Sequence, residues 1–189
     1  MADTPSPALA TSRDPETARV KIEPSTEGFW KGLDYRIVEE VEVAGTPLVF
    51  RFESTKNFIL RSQVVESDAG AIRFRAYRSN QGAEGGTFDT DIAIYKVNFI
   101  EGVPSIDTGV NITTGGTFTP AALPLGKAVD VVRVKSSTQS NRQITISGDV
   151  GTERGLPPGI YYIVLDRFDG TGTSEGVVSV QWEELESGV

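Results

Sequence analysis

From Tyr35 onward, apolar and polar residues alternate with a period of two, the spacing of half-buried β-strands. Tyr35, Ile37, Val41 and Val43 share one face, while Arg36, Glu40 and Glu42 share the other. Leu48, Phe50 and Phe52 oppose Arg51 and Glu53, and Thr46-Pro47 separates this run from the one before. Phe58, Leu60 and Val64 alternate with Arg61 and Gln63; after Asp68-Ala69-Gly70, the set Ile72, Phe74 and Ala76 opposes Arg73 and Arg75. A Gly-containing turn between two such runs predicts a hairpin. Further strands are predicted over residues 92–99, 129–135, 144–146, 160–165 and 177–182, with a weaker one at 110–113. No window carries convincing helical periodicity.

Two of these segments predict their own depth. Ile160 to Leu165 is apolar at every position and has the pattern of a central strand covered on both faces. Val178, Val180 and Trp182 face inward, with Ser179, Gln181 and Glu183 outward. Roughly nine or ten short strands punctuated by Gly, Pro and Asn/Asp turns predict an all-β fold, an antiparallel two-sheet β-sandwich of jelly-roll type, with a closed barrel as the alternative. Gly85-Gly86-Thr87-Phe88 returns as Gly115-Gly116-Thr117-Phe118. Two copies of four residues do not make a repeat protein. They predict two similar turns of positive φ, each followed by an aromatic that plugs the end of the sandwich.

The first 34 residues lack this pattern and hold four of the ten prolines, Pro5, Pro7, Pro15 and Pro24. They read as an extended arm ahead of a sandwich domain at 35–189 with a short acidic C-terminal tail. A disordered tail and an arm that orders on a neighbouring subunit are both compatible with that composition. Phe29 and Trp30, at its end, offer something to bury against a partner, or against the chain's own core.

Composition narrows the chemistry. Among 189 residues there is no Cys and no His, which removes disulfides, thiolate nucleophiles, imidazole bases and zinc sites built from these ligands. Eighteen Lys+Arg against 26 Asp+Glu give a net charge of -8, unsuited to coating nucleic acid. No apolar run is long enough to span a membrane. Met1 to Thr17 lacks the apolar core of a secretory signal, so synthesis in the cytoplasm is expected.

Candidate constellations are sparse. Asp89 and Asp91 would lie about 7 Å apart on one face of a strand, yet a Ca²⁺ site needs more oxygens than they supply. Asp166, Asp169 and Gly170 read as a turn. A carboxylate pair for glycoside hydrolysis would need an aromatic-lined groove that nothing in the pattern indicates. Leu125-Gly126-Lys127-Ala128 lacks the first glycine and the hydroxyl of a phosphate loop. Arg73 and Arg75, with Arg61 on a neighbouring strand, predict a basic stripe that either guards an edge or meets an acidic partner. Glu175, Glu183, Glu184 and Glu186 give the C-terminal end a negative charge suited to solubility or to a basic neighbour. Phe29, Trp30, Arg73 and Arg75 are therefore the candidate partner-binding residues, with no catalytic, cofactor or metal site expected.

Lys56-Asn57-Phe58-Ile59-Leu60, the Gly-Gly-Thr-Phe element at 85–88, Val131-Val132-Arg133-Val134-Lys135, and Gly155-Leu156-Pro157-Pro158-Gly159-Ile160-Tyr161-Tyr162 followed by Trp182-Glu183-Glu184 resemble, in texture and order over residues 50–185, structural proteins of tailed bacteriophages. The resemblance is to capsid cement or decoration proteins. It implies a non-enzymatic protein on the outer surface of the virion head, bound to the major capsid protein as a homodimer or homotrimer. A tail or fibre component and a carbohydrate-binding module are the alternatives. The Leu-Pro-Pro-Gly-Ile-Tyr-Tyr run also resembles the closing hairpin of secreted bacterial β-sandwich accessory domains.

Overall fold

Alternating strands with one apolar face need a second sheet to cover that face, and the computed structural model, which describes residues 27–101, 107–136, 142–147, 154–170 and 172–185, supplies it. A short helix α1 (Glu27–Lys31) leads into β1 (Asp34–Val43), β2 (Leu48–Ser54), β3 (Phe58–Ala69) and β4 (Ala71–Arg78). There follow β5 (Gly82–Gly85), β6 (Thr90–Asp91), β7 (Tyr95–Lys96), β8 (Val110–Thr114) and β9 (Thr117–Pro120). The last five are β10 (Asp130–Lys135), β11 (Arg142–Ser147), β12 (Arg154–Leu156), β13 (Gly159–Arg167) and β14 (Ser174–Glu184).

The chain folds back on itself as a long antiparallel ribbon: β1 pairs with β14, β2 with β13, β3 with β11 and β4 with β10. The ribbon then wraps, so that β14 also pairs with β3 and β13 with β4. The result is two sheets, β11-β3-β14-β1-β7 with β12 beside β3, and β10-β4-β13-β2-β8-β6. This is the jelly-roll form of the all-β sandwich.

That wrapping overturns the hairpin predicted at Gly70. β3 and β4 are consecutive but belong to different sheets. Gly70, at φ +75°, turns the chain from one sheet to the other, and a Cβ there would meet the Ser174 Oγ at 2.4 Å. A single left-handed residue gives a corner, whereas the favoured hairpin loops take two residues. Hydroxyls satisfy the corner's backbone: the Ala71 N–H donates to Ser174 Oγ (3.0 Å), and the N–H and Oγ of Ser136 both donate to the Gly70 carbonyl (2.9 and 3.1 Å).

Between the sheets lie Tyr35, Ile37, Phe50, Phe52, Phe58, Ile72, Phe74, Ile163, Leu165, Val178, Val180 and Trp182. Trp182 stacks on Tyr35 (6.0 Å) and meets Phe52 edge-on (5.1 Å). The expected inward face of β3 is half right. Arg61 is an extra residue between Leu60, opposite Trp182, and Ser62, opposite Gln181. This bulge shifts the phase, so Gln63 and Val65 are buried and Val64 is not. The strand predicted over 92–99 is also interrupted. β6 pairs with β8 and β7 with β1, so residues 92–94 cross between the sheets, and Ile92 and Ile94 pack against the core at that flank.

β13 is central, as its uniform apolarity predicts, and its outer face has its own cover. β5 and β9 form a two-stranded flap whose Phe118 packs with Val49, Tyr77, Tyr162 and Val164. The two Gly-Gly-Thr-Phe copies meet here: Gly85 pairs with Thr117, and Gly86 and Gly115 carry the positive φ angles. Phe118 and Phe88 both approach Tyr162, at 4.2 and 6.2 Å. The aromatics thus cover the middle of a sheet instead of plugging the end of the sandwich.

Candidate interaction surfaces

Phe29 and Trp30 sit on α1, which belongs to the folded body although the pattern groups it with the arm; residues 1–26 lie outside the described residues. Gly32 (φ +73°) ends the helix with two bonds, Leu33 N–H to the Gly28 carbonyl (2.8 Å) and Gly32 N–H to the Phe29 carbonyl (3.3 Å). This pairing is a Schellman cap, and Leu33 beyond it is buried. Gly28 rests on Glu183, where a Cβ would fall 2.1 Å from the carboxylate. The Asn98 amide donates to the Phe29 carbonyl (2.9 Å), tying α1 to the segment after β7.

That tie gathers exposed apolar side chains on one flank. Phe29 is half-buried, with its ring edge-on to Trp30 at 5.3 Å. Trp30 is 57% exposed, Tyr95 48%, Phe99 75% and Ile100 54%. Tyr95 and Phe99 are absent from the sequence-based candidates because residues 92–99 read as one alternating strand, and Ile100 falls just beyond it. Adjacent Phe99 and Ile100, out of phase with each other, were the available signal.

The opposite flank carries a second group. β10 ends its sheet and lies against β11 of the other. Leu123, Leu125, Val129 and Val131 are exposed there. The preceding loop is pinned by Gln81, whose side-chain amide donates to the Lys127 carbonyl (2.7 Å) and whose backbone carbonyl accepts from Ala121 N–H (2.8 Å). Leu125-Gly126-Lys127-Ala128 is thus a closed turn before β10.

The basic stripe is real but differently composed. Arg61 lies on the other sheet, paired with Glu183. Arg73 and Arg75 stand on the outer face of β4, and Arg133 of β10 lies directly opposite Arg73. Both β4 arginines converge on Asp166: Arg73 Nε donates at 2.9 Å with a second bond from Nη2, and Arg75 Nη2 lies at 3.3 Å. The Asp166 bond raises the Arg73 pKa further. Arg133 lies over the Phe168 ring at 5.8 Å. Two guanidinium groups on one carboxylate, with Arg133 beside Arg73, leave a cationic excess on this face of an acidic chain.

The acidic C-terminal end is largely internal. Glu184 is fully buried: Lys56 Nζ lies 2.8 Å from Oε2, the Gly109 N–H donates at 2.9 Å, and the Thr108 hydroxyl donates to Oε1. Burial first, then the Glu184 and Asp107 carboxylates, push the Tyr35 hydroxyl up to about 12. Glu183 and Glu184 therefore hold α1 and the start of β8 in place. Only Glu175 of the described C-terminal acids is exposed.

Asp89 and Asp91 are exposed, and among the described residues no group of three or more acidic side chains is arranged to hold a metal ion. No described helix is long and apolar enough to cross a membrane. No protein-family model, curated protein or solved structure matches the chain.

Proposed function

We propose that this protein is a bacteriophage capsid cement protein that binds the outside of the head lattice and bridges neighbouring major capsid subunits. The observation that carries the reading is the pair of exposed apolar groups on opposite flanks, Trp30 with Tyr95, Phe99 and Ile100 on one and Leu123, Leu125, Val129 and Val131 on the other. Exposed apolar clusters rimmed by polar residues are what protein contacts use, and two of them on opposed sides suit a bridge. A standard interface buries about 1,200–2,000 Å² in total, and repetition around a symmetry axis adds avidity. The jelly roll recurs among virus capsid proteins, which adds support at the level of fold analogy.

Co-sedimentation with heads lacking the protein tests this reading. The full chain should pellet with them, and serine at Trp30 and Phe99, or at Leu125 and Val131, should reduce retention at least tenfold. Undiminished retention in both variants would contradict it. The exposed rings of Trp30, Tyr95 and Phe99 also favour a second reading, a carbohydrate-binding module. Glycan-array binding that disappears in Trp30→Ser would select that reading instead.

A further inference from the structure

We infer that the flank beside β10 holds an anchor pocket for one branched aliphatic side chain, presented by an extended segment of a partner polypeptide. An apolar cavity of about 100 Å³ opens there between the two sheets. Its origin is visible in two inward positions. The inward series of β4 steps down from Phe74 to Ala76, and the bulge at Arg61 brings Gln63 of β3 inward where the unshifted pattern would bury Val64. Ala76 and Gln63 both border the cavity, with Phe58, Leu60 and Ile163 as further walls; of its lining residues Val129 and Arg78 are exposed and mark its rim.

Size selects the ligand. Sites for metabolites and cofactors run to about 300–1,000 Å³. A cavity of about 150 Å³ holds benzene, so this one takes about four carbons, the size of a leucine or isoleucine side chain. Its position selects the donor. The exposed rim residue Val129 immediately precedes β10, which is hydrogen-bonded among the described residues to β4 alone; although β10 also lies against β11 of the other sheet, its backbone at this end suits strand addition. Arg133 and Lys135 on β10 set like charges against a second copy of the same strand, which favours a different chain as the partner. Exposed Val129 and Val131 extend the apolar contact beside the pocket. The pocket has this preference whether or not the chain sits on a capsid.

Methyl and amide NMR of the full chain tests the assignment with two probes, 3-methylbutan-1-ol and the peptide acetyl-Thr-Val-Thr-Leu-Thr-Val-Thr-amide. The alcohol should give saturable shifts at Leu60, Leu156, Ile163 and Val180. The peptide should bind at least tenfold more tightly, also shift the β10 amides, and lose at least tenfold when aspartate replaces its leucine. Ala76→Leu fills the cavity and should abolish both responses. Val129→Trp, at the exposed rim, should block the mouth without entering the core, and serves if Ala76→Leu does not fold. No saturable response to the alcohol would overturn the pocket. Equal binding of the leucine and aspartate peptides would overturn the polypeptide occupant, and responses surviving in the folded variants would overturn the location.

Discussion

Phe118 lies flat on Tyr162, with ring centroids 4.2 Å apart and planes within 16°. The contact presses the β5-β9 flap onto the outer face of the central strand β13. At the flap's other strand, the Tyr162 hydroxyl donates to Glu84, which also accepts from Arg51 Nε at 2.8 Å. One tyrosine therefore secures both strands of the flap, by stacking and by hydrogen bonding.

Removing the stack should release the flap before the sandwich. Phe118→Ala is expected to cost about 3 kcal/mol, at the lower end for a buried phenylalanine. Amide exchange should accelerate at least tenfold in β5 and β9 and less in β14. Uniform acceleration across both sheets would show that the flap is not a separate unit.

The polar latch carries an acid dependence. Its bond from Tyr162, then the Arg51 interaction, hold the Glu84 carboxyl below its ordinary 4.5. A folded-state value below the unfolded one adds stability that is present above the ordinary value and lost as pH falls through the lowered one. Glu84 is partly exposed, so the gain is under about 1 kcal/mol. Urea melts of wild type and Glu84→Gln should differ at pH 6 and converge as pH falls below the ordinary carboxylate range.

Glu184 is a stronger constraint because it is wholly enclosed. Glu184→Ala removes one partner of a buried ion pair and should cost about 3–5 kcal/mol. Glu175→Ala, at an exposed position, should stay within about 0.5 kcal/mol. Denaturant midpoints of the two variants give the comparison directly.

The corner at Gly70 predicts a backbone effect. Gly70→Ala forces a side chain into a left-handed conformation, costing about 1–2 kcal/mol, and drives its Cβ against Ser174. The loss should exceed that of Gly45→Ala, a position where a Cβ would meet nothing.

Alternation reveals which residues face a core, but it cannot reveal where the chain goes next. The central place of β13 and the inward set Val178, Val180 and Trp182 follow from local pattern, because burial acts on each residue separately. The junction at Gly70 reads the same whether the chain turns back or crosses over; long-range pairing of β3 with β14 decides it. The bulge at Arg61 is likewise invisible until Trp182 and Gln181 select its partners. Of the candidate binding residues, Trp30 is exposed, whereas Phe29 is half-buried and Arg73 and Arg75 are engaged by Asp166. The acid comes from β13, distant in sequence, so the stripe's pairing was not readable locally. Tyr95 and Val131 are not legible as surface residues for a related reason: each lies in a strand-like run whose outward apolar member looks like part of the core.

The bridging account is tested most directly by cryo-electron microscopy of purified particles carrying the protein. It predicts density for the chain at every equivalent position of the outer head lattice, with the Trp30 flank and the β10 flank touching different capsid subunits. Density at the tail alone, or none on the particle, would contradict it.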